Sequence, residues 1–573
     1  MLFRSALVLE NGVVRNARGS VAIGELARRS NEAVEGVLSI ETSFVEANVE
    51  MADRETGQGN VSASYNFAAH AARVTVDRRT GRVRLLDYVA AHDVGIAINT
   101  TLVETQAIGG TVMGIGPALG EEVIFEQGKM ANPAFLHYAL PRAGDLPRIR
   151  PILIEGGDPL GPYGAKAIGE CGVNPPAAAI ANAVHDAIGV RVRDLPITPD
   201  KILTALAARE GRTRRHALWR RPSRWWVALV RWAYPRGLFK LLHARTQRFT
   251  SFADPVPLSA VDTPRTLRDA VTALGADAMA SGGGTDVQLR RRQRLAAPRR
   301  LVSLKAVAEL RGIRIDPDDA IEIGGAATLA TVGRELRERL PILAECIDTI
   351  ASAQLREMAT VAGNLAQAKR CWFFRNGFGC YKRLGGVAPC YAIEGDHRFH
   401  HAVIDGHRCQ ATTPSDLATV FRALDAELVL VSRRGERRLP IGAFYTGPGE
   451  TVLAADELIR AIRLPAVAGR LGAFAKLRLY EGDFAIVSAA VTAVPTPDGW
   501  RHAHVVLGGV APVAWRSRAA ENAIETGGDL RKSLDAELDA HAHPLRRNAW
   551  KLDAAAGIAE EAFERLTSRQ GGR

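Results

Sequence analysis

Four cysteines, Cys371, Cys380, Cys390 and Cys409, crowd into one stretch of a 573-residue sequence that holds only six, separated by eight, nine and eighteen residues. Four thiolates this close along the chain can fill four coordination positions from one loop, and the candidates are zinc and an iron-sulfur cube. Structural zinc sites draw on close Cys pairs with two to four residues between members, because a tight knuckle presents both sulfurs to one ion. No pair here is that close. Wide spacing suits a larger cluster with separated corners, which Trp372, Phe373 and Phe374 could shield from water. His397, His400, His401 and His407 lie in the same stretch and could each ligate, but an ordinary hydrogen-bonded histidine is the default for each. Cys346 reads as a buried helix residue, and Cys171 has no cysteine neighbour.

A second chemical feature lies upstream. A strand-like approach enters Ser281-Gly282-Gly283-Gly284-Thr285-Asp286, where consecutive glycines let successive backbone N-H groups turn toward one anion, a pyrophosphate for instance. The loop is neither a Walker loop nor a GxGxxG fingerprint, and alone a triple glycine is as often a plain turn. Two further segments bracket the cysteines. ATVAGNLAQ, with Thr360, Gly363 and Asn364, precedes them, and TTPSDLATVFRALDAELVL, with Asp416, follows.

Taken in order, SGGGTDV, TVAGNLA and PSDLATVFRALDA resemble the flavoprotein subunit of the xanthine dehydrogenase family of molybdenum hydroxylases. The likeness continues through FYTGPGETVLAADELI, LGGVAPVAWRSRAAE and HPLRRNAWKLDAA, and so covers residues 252–573. The resemblance implies that Ser281, Gly282, Gly283, Gly284, Thr285 and Asp286 hold the FAD pyrophosphate. It also implies that Thr360, Gly363 and Asn364 approach the flavin and that Asp416 lies near the ribityl chain. One departure is Ala362, where that family usually has glycine. The run Cys-Trp-Phe-Phe-Arg, Cys-Tyr-Lys-Arg, Cys, then a His-rich stretch closing at Cys409, is similar to the aldehyde oxidoreductase branch. That likeness implies a 4Fe-4S cluster on Cys371, Cys380, Cys390 and Cys409.

Residues 1–208 resemble the last part of the molybdopterin-binding subunit of the same family, through VTVDRRTGRVRLLDYVAAHDVGIAIN, TQAIGGTVMGIGPALGEE, YGAKAIGECGVNPPAAAIANAV and LPITPDKILTAL. The resemblance makes Glu170 the carboxylate beside the molybdenum, a base that takes a proton as the substrate carbon is attacked, with Gly169 letting the backbone come close. Gln106 matches a cofactor-contacting glutamine, although Thr105 stands where glycine is common. Gly57-Gln58-Gly59, at the start of a strand, reads as a plain turn. The segment is several times shorter than a whole molybdopterin-binding subunit. The molybdopterin cofactor is therefore expected only if another chain completes the site.

The elements that must position these residues give an α+β multidomain chain. Residues 1–208 form a partial molybdopterin-binding domain, with two strands flanking the turn Asp77–Gly81 and a helix over Pro175–Ile188. A basic Trp/Arg-rich linker follows over 209–251. The resemblance implies a two-subdomain FAD-binding domain of PCMH type over 252–465, which carries the insert 371–409. By the same resemblance an α+β C-terminal domain like that of the CO dehydrogenase flavoprotein is expected over 466–573; the charged helical pattern Asp553–Ser568 predicts its closing helix.

The formal charge of +12 sits mostly in the linker, where about a dozen Lys and Arg residues face Glu210 alone. The near-neutral remainder favours small molecules and partner subunits over nucleic acid. The linker, with four of the eight tryptophans, reads first as a structured connection on its own chain, because Pro222 and Pro235 break its helical period. Docking on a partner, or peripheral membrane contact through 218–245, are the other readings. No run of about twenty apolar residues and no signal peptide is found. Sparse cysteines point to a reducing compartment and a cytoplasmic protein, periplasmic only if exported with a signal-bearing partner.

The expected function is an FAD- and iron-sulfur-bearing electron-transfer component of a molybdenum hydroxylase acting on aldehydes or N-heteroaromatics. Its partners would be a molybdopterin-binding large subunit and a 2Fe-2S subunit. The alternatives are a non-catalytic zinc-clamped scaffold, or a truncated fusion that binds flavin alone.

Overall fold

The computed structural model describes residues 7–34, 41, 43, 49–62, 64–126, 128–212, 256–385, 388, 390–406 and 408–570. The linker reading at 218–245 and His407 lie outside the described residues. Among the described residues no helix is long and apolar enough to cross a membrane.

The N-terminal part begins with a three-stranded antiparallel meander, Val8–Glu10, Val13–Asn16 and Gly19–Ala22, followed by the helix Ile23–Val34. Its main body is the hairpin Ala68–Val76 and Val83–Asp93 with the parallel strand Ile149–Ile154 alongside. The turn between the hairpin strands is where the sequence puts it, with Gly81 N donating to Asp77 O at 2.8 Å. Gly81 has φ +71°, and a Cβ there would lie 2.6 Å from the Pro199 carbonyl oxygen, so both conformation and space demand glycine. Helices Thr100–Leu119, Pro175–Ile188 and Pro199–Arg209 close a core of Leu85, Tyr88, Ile115, Ile180, Val184 and Ile202.

The flavin-like half contains two sheets of different character. Strands Ala260–Asp262, Ala278–Ser281 and Arg300–Ser303 form a small parallel sheet with Arg300–Ser303 in the middle. A five-stranded antiparallel sheet follows, in the order Ile313–Ile315, Ile321–Gly324, Leu458–Leu464, Glu427–Ser432 and Gly435–Pro440. Cys346 lies fully buried in the helix Pro341–Asp348. The last part is a four-stranded antiparallel sheet, Leu471–Leu477, Val487–Thr496, Gly499–Gly508 and Trp515–Arg516, covered by three helices that end with Lys551–Gln570. That final helix runs two residues beyond the expected span at each end; at its start buried Lys551 and Leu552 extend the packed face.

The first and last parts are joined directly. Arg79 pairs with Glu564 at 2.6 Å, Arg82 donates to the Lys476 carbonyl at 2.7 Å, and Arg212 reaches Asp553 at 3.2 Å.

Candidate flavin and cysteine sites

Three segments distant in sequence meet at the glycine loop. The strand Ala278–Ser281 delivers the loop onto Met358–Thr360. A Cβ on Gly282 would come 2.6 Å from Thr360 Oγ1, and one on Gly283 would come 1.5 Å from the Met358 carbonyl oxygen. Any side chain there would push the loops apart. Gly284 is left-handed at φ +76°, while Thr285 is half-buried. Among the described residues the amides of Gly282, Gly283 and Gly284 have no backbone partner, the condition a phosphate-binding loop needs.

Thr360 caps the helix Val361–Leu365, its hydroxyl accepting from Gly363 N at 3.2 Å. Asn364 Oδ1 accepts from Ser415 Oγ at 2.7 Å, which ties the second segment to the third. Ser415 in turn caps the helix Asp416–Ala423. Asp416 is buried, and Lys476 Nζ donates to its Oδ2 at 2.8 Å. The unusual Ala362 is accommodated because it faces Gly325, where an added Cβ would lie 3.2 Å from the Ala362 methyl.

Asp286 takes a different position from the glycines it follows. Its Oδ1 accepts from Arg375 Nη2 at 2.9 Å and faces Arg370 at 3.0 Å, while Oδ2 accepts from Ala368 N at 3.0 Å. Burial alone would raise this carboxyl, but the two guanidiniums hold it below the usual range. Arg375 also donates to the Lys369 and Ala368 carbonyls and to Gln293 Oε1. Both oxygens of Asp286 therefore serve to fasten the loop to the residues that open the cysteine insert. Arg370, Arg375 and Lys476 were not visible as site residues in the sequence, since no motif marks a lone basic residue as the partner of a distant carboxylate.

The insert itself is mostly irregular, with single helical turns at Trp372–Arg375 and Tyr381–Leu384. Cys371, Cys380, Cys390 and Cys409 are buried, unbridged, and line one small cavity together with Phe373 and Tyr391. Burial and the neighbouring sulfurs push the Cys371 thiol well above its usual range, and burial drives Cys390 up to about 12. Such thiols stay protonated alone and ionise on binding a metal. His401 Nε2 lies 3.3 Å from Cys371 Sγ. His397 is engaged by the Ala392 carbonyl and the Arg547 amide, the ordinary hydrogen-bonded state. Among the described residues no three His, Cys, Asp or Glu side chains close on a single-ion site.

In the N-terminal part, Gln106 Nε2 donates to the Gly169 carbonyl at 2.5 Å, which puts it beside the exposed Glu170. Gly169 is left-handed at φ +42°. Gly57 to Gly59 sit in a turn in which Asp53 N donates to Gln58 O. The strand begins only at Ala68, so the turn reading holds but its place at a strand start does not. Cys171, without a cysteine neighbour, lies 3.5 Å from His92 Nδ1, and His92 Nε2 is 3.0 Å from His70 Nε2. The hairpin register pairs His70 with Ala90 and Ala68 with His92, so the rings are diagonal neighbours; a register shift between Arg73 and Val74 moves the pairing by one residue, so counting outward from Asp77–Gly81 would have placed them on opposite faces.

Comparison with known proteins fits this division. Residues 3–147 match the molybdopterin cofactor-binding domain, and residues 258–467 match the FAD binding domain in molybdopterin dehydrogenase. The aldehyde oxidoreductase FAD-binding subunit PaoB of Escherichia coli (strain K12) is 33% identical over 284 residues, 47% of this chain and 85% of the relative. The probable hypoxanthine oxidase XdhD of the same strain is 36% identical over 198 residues, 34% of this chain and 19% of the relative. The aldehyde oxidoreductase molybdenum-binding subunit PaoC, again of that strain, is 39% identical over 154 residues, 26% of this chain and 21% of the relative. The chain thus spans most of the flavin subunit but only about a fifth of the other two. The chain belongs to the molybdenum hydroxylase family, as a fusion of a molybdopterin-binding module with a flavin-binding one.

Proposed function

We propose that the chain is the flavin-binding, iron-sulfur-bearing electron-transfer component of a molybdenum hydroxylase that oxidises aldehydes or N-heteroaromatics. The observation that carries this reading is the gathering of four buried thiols around one cavity, fastened to the glycine loop through Arg370, Arg375 and Asp286. The donor set and the apolar wall fit a 4Fe-4S cluster, and the bare amides of Gly282 to Gly284 fit the FAD pyrophosphate. Bound flavin and cluster would supply the electron-transfer chemistry. The protein's own part is to hold the glycine loop against Thr360, to place Asn364 and Asp416 at the flavin, and to keep water from the cysteines.

In this reading residues 252–465 are the two-subdomain FAD domain of PCMH type, and 466–573 are the C-terminal flavoprotein domain. Separate molybdopterin-binding and 2Fe-2S chains complete the enzyme, in the cytoplasm. Glu170 is the base at the completed molybdenum site, oriented by the Gly169 turn that Gln106 holds. Anaerobic purification followed by metal analysis and a visible spectrum tests the proposal. About four irons per chain, with flavin bands near roughly 450 nm over a broad iron-sulfur absorbance, are expected. A colourless, zinc-loaded protein would support the scaffold reading instead.

A further inference from the structure

The N-terminal part touches the cysteine insert more intimately than its own candidate site would require. A small hairpin, Phe125–Glu126 and Lys129–Met130, lies at the centre of the contact. Glu122 accepts from Arg398 Nη2 at 2.7 Å, and Glu126 Oε1 accepts from the Asp396 amide at 2.6 Å. Asn376 Nδ2 donates to the Ala131 carbonyl at 2.6 Å, and the same amide nitrogen lies 3.2 Å from His137 Nδ1. The His137 ring meets Trp372, next to Cys371, edge to face at 6.5 Å. Ala131 is fully buried in the same apolar cluster as all four cysteines. A Cβ on Gly395 would stand 2.7 Å from the Phe373 ring and 2.8 Å from Glu126 Oε1, so the fit leaves no room for a layer of water.

These contacts fall on buried residues of the insert. Trp372, Asn376, Asp396 and Arg398 are each at most 9% exposed, and all four touch the N-terminal part or pack directly beneath it. Among the described residues the insert's helical structure is confined to single turns at Trp372–Arg375, Tyr381–Leu384 and Tyr391–Ile393, so contacts from outside the insert matter to its closure. Burial also pushes His137 down to about 3, as expected of an imidazole carried into an apolar contact.

We propose that the segment bearing Glu122, Glu126, Ala131 and His137 is a cover for the four-cysteine insert, lent by the molybdopterin-binding module to the flavin-binding one. Its consequence for an iron-sulfur cluster rests on the reading given above, while the closure of the insert does not. The module then has a role on this chain even where the molybdenum site is incomplete.

The test uses the full-length chain, purified anaerobically, in three forms: the parent, the double variant Glu122→Ala/Glu126→Ala, and an Arg79→Ala control that breaks a docking contact elsewhere. Hydrogen exchange of peptides spanning residues 372–385 and 390–399 is the primary readout. The double variant is expected to exchange about tenfold faster there, with flavin absorbance retained, because charged hydrogen bonds that close the insert are gone. Iron release to a chelator should quicken in step. Exchange within about twofold of the parent, or an equal rise in the control, would overturn the proposal. A parent without iron would refute the cluster reading alone, since the exchange comparison still decides whether the cover exists.

Discussion

Arg375 and Asp286, 89 residues apart in sequence, form an ion pair at 2.9 Å in which the arginine is wholly buried. The pair joins the last residue of the glycine loop to the first helical turn after Cys371. Flavin loop and cysteine insert are thereby one mechanical unit, although nothing in either motif names the other.

Replacing Arg375 by methionine should damage both sites at once. The change leaves Asp286 with Arg370 as its one guanidinium partner and orphans two carbonyls, and breaking a buried pair of this kind costs about 3–5 kcal/mol. Reduced flavin content and a lower melting temperature are expected. Arg375→Lys should not restore them, because one ammonium cannot reproduce the contacts to Asp286, Lys369, Ala368 and Gln293. Full flavin occupancy in the methionine variant would show the pair to be dispensable.

The glycines of the loop should differ sharply in tolerance. Gly283→Ala must displace the Met358 carbonyl, 1.5 Å from the new Cβ, and is expected to abolish flavin binding. Gly284→Ala meets nothing nearer than 3.8 Å, and bears only the left-handed cost of about 1–2 kcal/mol. Flavin fluorescence titration of the two variants gives the comparison. Equal loss in both would mean that backbone conformation, not the approach to Met358, governs the loop.

Asp483 supplies a pH dependence. Burial raises its carboxyl to about 7, against opposing contributions from the Phe484 amide and Lys476. The folded state therefore holds a proton that the unfolded state has released. This contribution to stability is fully present below about pH 4 and is lost as pH rises through about 7, with a slope of at most about 1.4 kcal/mol per pH unit. Asp483→Asn should melt higher than the parent at pH 8 and not at pH 4. Parallel melting curves for parent and variant across that range would contradict the assignment.

Glu170→Gln addresses the molybdenum half. With a molybdopterin-binding partner present, aldehyde turnover should fall by about 100-fold or more, the range for loss of a general base, while flavin content stays constant. Gln106→Ala should lower turnover less, since it only frees the Gly169 carbonyl. Undiminished turnover in the glutamine variant would remove Glu170 from the reaction.

Much of this was written into local sequence. The Asp77–Gly81 turn, the helix Pro175–Ile188, the strand into Ser281 and the buried helix of Cys346 depend on short-range periodicity and turn chemistry, which neighbouring residues determine by themselves. The cysteine spacing likewise announced a shared site, because ligands on one short stretch need little help to meet. Only the tertiary structure decided how those pieces face one another. Asp286 turns toward Arg370 and Arg375, Ala362 is tolerated because Gly325 lies opposite, and Glu122 and Glu126 close over an insert some 270 residues away. Each of these is a pairing of single residues across folded elements. Such pairings carry no period and no motif, so they exist only once the packing of sheets and helices has brought the two side chains together.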